Sequence, residues 1–314
     1  MSSTFPKLTS KALLSPMAGV TDVAFRTLAK RYGAGLTYTE FVSSTALVRG
    51  SKKTLHMLQT DPSEKPVAVQ LFGNNVQDVI TAAQQLEDKF DIFDINCGCP
   101  AWKVIKTGAG SALLNNPEKI AAFINKLASA INKPVTLKIR TGIHKENINA
   151  IAIAQAAEQA GAAAIAIHGR TQQQGYSGTA DWEVIKKVKA AVNIPVIGNG
   201  DVFTPEHCKQ RLEESGVDYI MIARGAIGNP YIFTQINDYL TKGSYQQPDN
   251  IKDLTTYITL AEHYNLPLAT IKNQTITFTK GMTGGAKLRT TLSTAKTIED
   301  IKNILTTLQK HTNL

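Results

Sequence analysis

Two glycine-rich stretches in the second half of the chain have the composition of a phosphate-binding site. One reads IGNGDV over 197–202 and the other reads IARGAIGNP over 222–230. Glycine leaves backbone N–H groups open to an anion, a following helix start adds positive potential, and Arg224 can add charge. The alternative is that these glycines only turn the chain. Two such motifs close together favour phosphate binding.

A phosphate site without a cluster of carboxylates for Mg²⁺ indicates a cofactor such as FMN. Lys138, in PVTLKIRTG, could then place a cation beside the flavin N1/O2 edge and stabilise the reduced anion. Gln70 could hydrogen-bond the pyrimidine edge, and Met17 and Ala18 could offer backbone groups under the ring. The alternatives are an ordinary polar strand end for Gln70 and core packing for the Met17 side chain.

The three cysteines indicate acid–base chemistry rather than a metal site. Cys97 and Cys99 form a Cys-x-Cys pair in DINCGCP, but Cys208 is alone, so no second pair completes a site and we predict no metal. Cys99 precedes Pro100, whose ring restricts the local backbone, and we interpret Cys99 as an acid–base group. The alternative is a buried, inert thiol. Cys97 should face the other way and be structural.

Eight strand-like runs alternate with helical segments between residues 12 and 240, which is typical of β/α units around a parallel sheet. The runs are ALLSPMAG, LTYTEF, PVAVQLFG, IFDINCGCP, PVTLKIRTG, AIAIHGRT, PVIGNGDV and YIMIARGAIG. Eight strands over this span predict an α/β fold, a (β/α)₈ TIM barrel. A doubly wound sheet is the competitor, but the first run leads into SPMAGV and not into a Gly-x-Gly-x-x-Gly turn.

The polar and glycine-rich clusters lie where these runs end, on the face where such barrels carry their active sites. They comprise Met17–Gly19, Glu40, Gln70, Asn96–Pro100, Lys138 with Arg140, His168–Arg170, Asn199–Asp201 and Ala223–Gly225. Convergence of eight strand ends predicts one catalytic rim.

Length, composition and charge exclude several classes of protein and favour others. The 314 residues are 43% hydrophobic and 19% charged, which excludes global disorder, and no apolar run is long enough for a transmembrane helix. The N-terminus has no apolar signal segment, and three cysteines make no disulfide framework, so we expect a cytoplasmic protein. The net charge of +9 favours a nucleic-acid partner, although a basic proteome background would give the same value.

A linker-like segment, KGSYQQPDN over 242–250, divides the chain into a catalytic barrel, 1–242, and a helical domain, 243–314. Two or three helices follow, near 251–263, 266–282 and 297–310. No Asp or Glu occurs between Glu262 and Glu299, while the stretch carries Lys272, Lys280, Lys287, Arg289 and Lys296. These cations favour contact with RNA phosphates over a merely solvated helical face.

The chain resembles the tRNA-dihydrouridine synthases over nearly its whole length. The matching stretches are LSPMAGVTDVAFR, AVQLFGNN, FDINCGCP, KTGAGSALL, VTLKIRTG, IHGRTQQQGYSG, DW, VIGNGDV, ARGAIGNP and KGMTGGAKLR. The resemblance implies an FMN-binding barrel followed by a helical domain that binds tRNA. The implied reaction reduces the C5–C6 double bond of a tRNA uridine, with NADPH or NADH as the reductant of tightly bound FMN and hydride leaving flavin N5.

The resemblance also assigns residues, motif by motif. Cys99 is implied as the proton donor to C5, which requires a neutral thiol with a pKa that is not strongly depressed. The uracil would be held by Asn96 and Arg140, with Lys138 and His168 nearby. The FMN contacts would be Pro16, Met17, Ala18, Gln70, Lys138, His168, Asn199, Gly200, Asp201, Ala223, Arg224 and Gly225.

Three positions depart from the family pattern. Gln172 follows HGRT where many members have a basic residue, which puts one expected RNA phosphate contact in question. Thr179 stands where proline is common, and Trp102 is a bulky residue after Gly-Cys-Pro.

Two other classes of function stay open at this point. A small-molecule FMN oxidoreductase of the dihydroorotate or dihydropyrimidine dehydrogenase type shares the barrel, flavin and pyrimidine, but does not need the basic C-terminal stretch. A non-catalytic RNA-binding protein, built on a barrel that no longer catalyses a reaction, would have lost rim residues, whereas Cys99, Lys138 and His168 are all present. The family resemblance further implies a monomer.

Overall fold

The predicted TIM barrel is present in the computed structural model, which describes residues 3–282 and 284–312, with the backbone only for 308–312. The strands β1 to β9 are Ala12–Leu14, Thr37–Tyr38, Val42–Ser43, Val67–Phe72, Ile92–Cys97, Val135–Arg140, Ala164–His168, Val196–Asn199 and Tyr219–Ile222. The second predicted run, LTYTEF, contains only the two-residue β2, and the short β3 follows it, which makes nine strands from eight runs.

All the strand pairs are parallel and the sheet closes on itself. The strand order is β1-β9-β8-β7-β6-β5-β4-β2, and β3 pairs with the end of β4. Backbone hydrogen bonds complete the ring: Gly35 N–H donates to Ala12 O and Leu14 N–H donates to Leu36 O, both at 2.9 Å. The closed ring rules out the doubly wound alternative, which is an open sheet.

Helices surround the barrel and continue beyond it. In chain order, α1 to α14 are Val23–Arg31, Ser44–Val48, Lys52–Met57, Val76–Leu86, Trp102–Ile105, Pro117–Ala130, Ala150–Gln159, Trp182–Ala191, Pro205–Ser215, Ile232–Lys242, Asn250–His263, Leu268–Phe278, Gly285–Thr294 and Ile298–Thr312. Side-chain caps start several of them. Asp22, Asn75 and Asn116, for example, each accept a hydrogen bond from a backbone N–H of the first turn.

The period-two alternation of strand side chains separates two cores. Along β4, Val67, Val69 and Leu71 pack outward against helices, while Ala68 and Gln70 face the barrel interior. The lower interior is apolar and includes Leu13, Leu36, Tyr38, Ile92, Ile197 and Met221. In the next layer toward the C-terminal ends of the strands, the inward-facing side chains are polar. This change from apolar to polar side chains places the site at the C-terminal end of the strands.

Within the residues that the structure describes, the C-terminal region has four helices, not two or three. The predicted helix 266–282 ends at Phe278, and the separate helix α13 follows at Gly285. Gly281 and Gly284 have φ angles of +80° and +71°, which a helix cannot contain. The predicted linker is irregular between Gly243 and Asp249.

A buried polar cluster joins these helices to the barrel. Asp22 Oδ1 caps α1 by accepting from Phe25 N at 2.9 Å, and its Oδ2 accepts from Tyr257 Oη at 3.0 Å and Gln274 Nε2 at 3.3 Å. Gln274 Nε2 also donates to Val20 O at 2.5 Å. Burial raises the pKa of Asp22 to about 6, although these hydrogen bonds and the charge of Arg26 oppose the rise. The contact therefore includes a carboxyl group that binds its proton more tightly in the folded protein than in the unfolded chain.

Substitution Asp22→Asn should remove part of the pH dependence of stability. Because the pKa of Asp22 rises from 3.8 to about 6 on folding, its contribution is fully present below pH 3.8 and is lost as pH rises through 6. Between pH 4.5 and 7.5 the wild type should lose about 2 kcal/mol that the variant keeps. Urea unfolding of both proteins at several pH values measures the difference. Parallel pH profiles would show that Asp22 does not titrate in this way.

Candidate active site

One pocket of about 470 Å³ opens at the C-terminal ends of the strands. It is lined by Ser15, Pro16, Met17, Ala18, Val20, Phe41, Gln70, Asn96, Gly98, Cys99, Pro100, Ala101, Lys138, Arg140, His168, Tyr176, Asn199, Gly200, Asp201, Val202, Phe203, Met221, Ala223, Arg224 and Ile227. All the site residues predicted on the barrel are in this lining except Gly225.

A buried hydrogen-bond chain forms the floor of the pocket. Asp94, on β5, accepts from Thr136 Oγ1 at 2.6 Å and from Gln70 Nε2 at 2.7 Å. Gln70 Oε1 in turn accepts from Asn96 Nδ2 at 2.8 Å. Burial raises the pKa of Asp94 to about 6, against the effect of these donors and of the Lys138 charge. Since a buried polar group is costly without partners, this chain sets the orientation of both amides.

Asn96 also fixes the turn that carries Cys99. Its Oδ1 accepts the backbone N–H groups of Gly98 at 3.2 Å and Cys99 at 2.9 Å. From the other side, Ser111 Oγ donates to Cys99 O at 2.9 Å. The Cys99 side chain consequently faces the pocket, while Cys97 packs in the core between sheet and helices.

The pocket keeps the Cys99 thiol protonated. Partial burial raises the pKa of Cys99, and the hydrogen bond from the Ala101 backbone and the charges of Arg140 and Lys138 lower it by less. A neutral thiol can give up a proton during a reaction, which a thiolate cannot.

Lys138 places a cation in the lining of the pocket. Its Nζ donates to Asn199 Oδ1 at 3.2 Å, and Asn199 Nδ2 is held by Met221 O at 2.7 Å. Burial and the neighbouring Arg140 lower the pKa of Lys138 to about 8, although Asp94 and Cys99 favour its charged form. At neutral pH the ammonium group is still mostly charged.

Arg140 ties two rim loops together. Its Nε donates to Gly98 O at 2.9 Å, and one terminal nitrogen donates to Thr171 O and Gly175 O, both at 2.8 Å. These contacts connect the turn after β5 to the loop after β7. The guanidinium is therefore held rigidly beside the Cys99 turn.

His168 is a neutral imidazole in this setting. Burial and then the charges of Lys138, Arg140, Arg170 and Arg224 lower its pKa to about 2. A terminal nitrogen of Arg170 lies 3.4 Å from His168 Nε2. Because a guanidinium only donates, Nε2 is the acceptor and the ring proton is on Nδ1.

Asp201 organises the two arginines at the phosphate-type loops. Its carboxylate oxygens accept from Arg170 at 2.9 and 2.8 Å and from Arg224 at 2.8 Å. Partial burial alone would raise the pKa of Asp201, but the hydrogen bonds from Arg170 and from Ala180 N–H, with the charges of both arginines, lower it overall. Arg224 is thus held at the rim with its guanidinium half-exposed.

Glycine is required in each of the two motifs for a different structural reason. Gly200 has φ +134°, and a Cβ there would lie 2.5 Å from Ala180 Cβ and 3.3 Å from His168 Cδ2. Gly225 lies behind the pocket wall, where a Cβ would be 2.4 Å from Val202 O. Glycine at 225 lets the loop after β9 pack on the loop after β8, which accounts for its absence from the lining.

Aromatic residues of the pocket mouth were missed by sequence reasoning. The Tyr176 ring lies between two cations, 5.8 Å from Arg140 Cζ and 5.3 Å from Arg224 Cζ, and Phe203 is 5.4 Å from Arg224 Cζ. Both rings are exposed. The signal that could have found them was the position of Tyr176 five residues after the HGRT motif and of Phe203 directly after the GNGDV motif.

The C-terminal cations fall into two groups. Lys272 donates to Ser293 O at 2.6 Å and Ala295 O at 2.9 Å, and Arg289 donates to Thr279 O at 3.1 Å, so both contact the backbone of their own region. Lys280, Lys287 and Lys296 are exposed.

The end of α12 lies next to the pocket. A Cβ at Gly228, in the loop after β9, would be 2.4 Å from Thr277 O. Ile227, one residue earlier, lines the pocket. The segment that carries Lys280 therefore begins near the mouth.

Among residues 3–282 and 284–312, no three His, Cys, Asp or Glu side chains converge as a metal site would require. None of the helices that the structure describes has both the length and the hydropathy of a membrane span.

A closed barrel with convergent titratable groups on its C-terminal rim defines a TIM-barrel enzyme. Residues 13–313 match the dihydrouridine synthase (Dus) family model, and the chain belongs to this family. It is accordingly an oxidoreductase.

Curated relatives agree with this assignment. The chain is 42% identical over 242 residues to tRNA-dihydrouridine synthase B of Xanthomonas campestris pv. campestris, which covers 77% of this chain and 73% of the relative. It is 45% identical over 239 residues to the protein of that name in Vibrio vulnificus, covering 76% and 74%. A probable tRNA-dihydrouridine synthase of Rickettsia bellii is 40% identical over 262 residues, covering 82% and 79%.

Solved structures share the barrel at low sequence identity. Histamine dehydrogenase from Rhizobium sp. 4-9 superposes with a TM-score of 0.58 at 13% identity, covering 81% of this chain and 49% of the other. A 2-naphthoyl-CoA reductase gives 0.60 at 11% identity, covering 76% and 50%. The chain spans about half the length of each protein, and the likeness concerns the fold alone.

Substitution Gly200→Ala should destabilise the protein by about 3 kcal/mol, because it adds backbone strain and a clash with Ala180. Gly216→Ala is the matched control. Gly216 also has a positive φ, +68°, but nothing lies within 4 Å of its Cβ position, so the cost should be about 1 kcal/mol. Denaturant unfolding measures both. Equal costs would mean that the loop around Gly200 relaxes freely.

Proposed function

We propose that this protein is a tRNA-dihydrouridine synthase that uses tightly bound FMN, reduced by NADPH or NADH, to reduce the C5–C6 double bond of a uridine in tRNA. One observation carries the proposal: the Cys99 thiol and the half-buried ammonium of Lys138 line one pocket with two anion-type glycine loops. Family membership favours this function over a small-molecule flavin oxidoreductase and over a non-catalytic RNA-binding protein.

The pocket residues fit FMN. A phosphate would lie against Gly200, Ala223 and Arg224, where the left-handed turn opens N–H groups and Arg224 supplies charge. Gly225 supports this loop from behind. Further contacts would come from Pro16, Met17, Ala18, His168, Asn199 and Asp201.

The polar side chains would contact the flavin ring system. Gln70 uses one amide hydrogen on Asp94 and one lone pair on Asn96, which leaves one of each for a pyrimidine edge. Lys138 would stabilise negative charge on that edge. The chemistry supplied by a bound, reduced flavin is hydride transfer to uracil C6.

The protein side chains orient the uracil and complete the reduction. Asn96 keeps a second amide hydrogen and Arg140 a rigid guanidinium to hold the uracil oxygens, with His168 as a neutral neighbour. Cys99 would give its proton to C5, and its raised pKa keeps the thiol protonated until that step. A uridine must leave its stack to enter the pocket, at a cost of a few kcal/mol that phosphate contacts offset.

The helical domain, 243–314, would supply these phosphate contacts. Lys280, Lys287 and Lys296 are exposed on it, and the end of α12 adjoins the pocket loop at Gly228. Lys272 and Arg289 would act mainly by holding the helices in place. Three free cysteines support a cytoplasmic location, and we infer a monomer without a metal.

Replacing Cys99 should separate proton donation from the other steps. Cys99→Ala should retain FMN, released on denaturation, and accept electrons from NADPH, but form dihydrouridine on the order of 10²–10⁴-fold more slowly. Dihydrouridine formed on an unmodified tRNA transcript is the measurement. Cys208→Ala and Cys97→Ala, which alter buried thiols outside the pocket, should change the rate little. Equal losses in all three variants would exclude Cys99 as the acid.

Removing the exposed lysines should weaken tRNA binding and make the affinity less dependent on salt concentration. Lys280→Ala with Lys287→Ala should lower affinity several-fold and reduce the salt slope by about one unit for each phosphate that the protein no longer neutralises. Lys186→Ala with Lys187→Ala, on the barrel helix α8, is a control that removes the same amount of charge. Flavin content should be unchanged in both. If both double variants bind alike, the helical domain does not hold the RNA.

A further inference from the structure

Trp102 is an exposed indole beside the pocket mouth that the reaction does not use. Its side chain is 67% exposed, whereas the chain's other tryptophan, Trp182, is 5% exposed and donates to Gly200 O. Trp102 is three residues from Cys99, and the intervening Pro100 and Ala101 line the pocket. Trp102 therefore follows directly after lining residues, at the rim of the pocket.

The segment that carries Trp102 is anchored. Ala101 O accepts from Val104 N at 2.9 Å and Ile105 N at 3.0 Å, and the Val104 side chain is buried. Behind it, Ser111 holds Cys99 O. The indole is thus presented on a fixed short helix, and its exposure is a property of the folded rim.

The surroundings of Trp102 are cationic. Lys106 Nζ lies 5.0 Å from the centre of the indole ring, and Lys103 is exposed on the same helix. The sequence has no Asp or Glu between Asp94 and Glu118. An exposed aromatic face flanked by cations is the combination that binds an unpaired nucleotide, the ring by stacking on the base and the cation by contacting the phosphate.

We propose that Trp102, with Lys106, forms a stacking platform for an unpaired base of the RNA next to the uridine that enters the pocket. The proposal rests on the proposed tRNA substrate. A flipped uridine deprives its neighbour of a stacking partner, and the indole replaces that partner at the correct place, beside the mouth. Trp102 is then a binding residue for the flanking nucleotide and takes no part in the chemistry.

Substitution at position 102 tests the platform. Trp102→Ala should weaken binding of an unmodified tRNA transcript roughly 5- to 150-fold, the range for removal of one base–aromatic stack, and raise KM more than it lowers kcat. Trp102→Phe should recover most of the affinity. Leu55→Ala, which removes a half-exposed apolar side chain on α3 outside the pocket lining, is the control and should bind as wild type. Flavin content and flavin reduction by NADPH should not change.

Fluorescence gives a readout that does not require the alanine variant to fold. With two tryptophans in the chain, tRNA should change the emission of wild type and leave Trp102→Phe, in which only buried Trp182 remains, nearly unchanged. Equal tRNA affinity of wild type and Trp102→Ala, or equal emission changes in wild type and Trp102→Phe, would overturn the platform. The proposal would also be overturned if the wild type were a dimer that the substitution Trp102→Ala dissociates. A wild type that forms no dihydrouridine would instead refute the proposed function.

Discussion

The Asp94 carboxylate, fully buried at the centre of the barrel, is the constraint on which the site depends. It accepts from Thr136 and from Gln70, Gln70 accepts from Asn96, and Asn96 accepts the backbone N–H groups of the Cys99 turn. A buried carboxyl group is stable only with such donors, so the cost of leaving it unpaired holds the whole chain of hydrogen bonds in one arrangement. The position of the thiol is thereby set from the barrel interior, not by the mobility of a surface loop.

Electrostatic crowding above this floor assigns a charge state to each group. Burial, followed by four cationic side chains nearby, lowers the pKa of His168 and keeps the imidazole neutral. Burial also raises the pKa of Cys99 and lowers the pKa of Lys138. Asp201 offsets two of the arginines at the rim. The pocket as a whole has an excess of positive charge, which suits an anionic cofactor and the polyanionic RNA of the proposed function.

The C-terminal helices are part of the same construction. Gln274 holds Val20 O, at the end of the loop that contributes Met17 and Ala18 to the pocket, and Tyr257 and Gln274 share the Asp22 carboxyl group that caps α1. Thr277 packs against Gly228 in the loop after β9. The C-terminal helices thus contact the loops after the first and the last strands of the barrel. They therefore adjoin the pocket mouth, where a bound RNA would have to lie.

The sequence by itself determined the barrel and most of the pocket lining, because period-two strands and polar strand ends are local patterns that a parallel barrel brings to one rim. Gly225 stays a predicted cofactor contact, but it is outside the pocket lining, and a Cβ there would meet Val202 O, which the motif alone does not indicate. The separate helix α13 was missed because its residues, GAKLRTTLST, carry little apolar periodicity. Only the tertiary structure decided that Lys272 and Arg289 contact backbone carbonyls, that Tyr176 stands between two arginines, and that Trp102 faces solvent. Those facts depend on which side chains meet across distant segments, and spacing along one chain does not encode them.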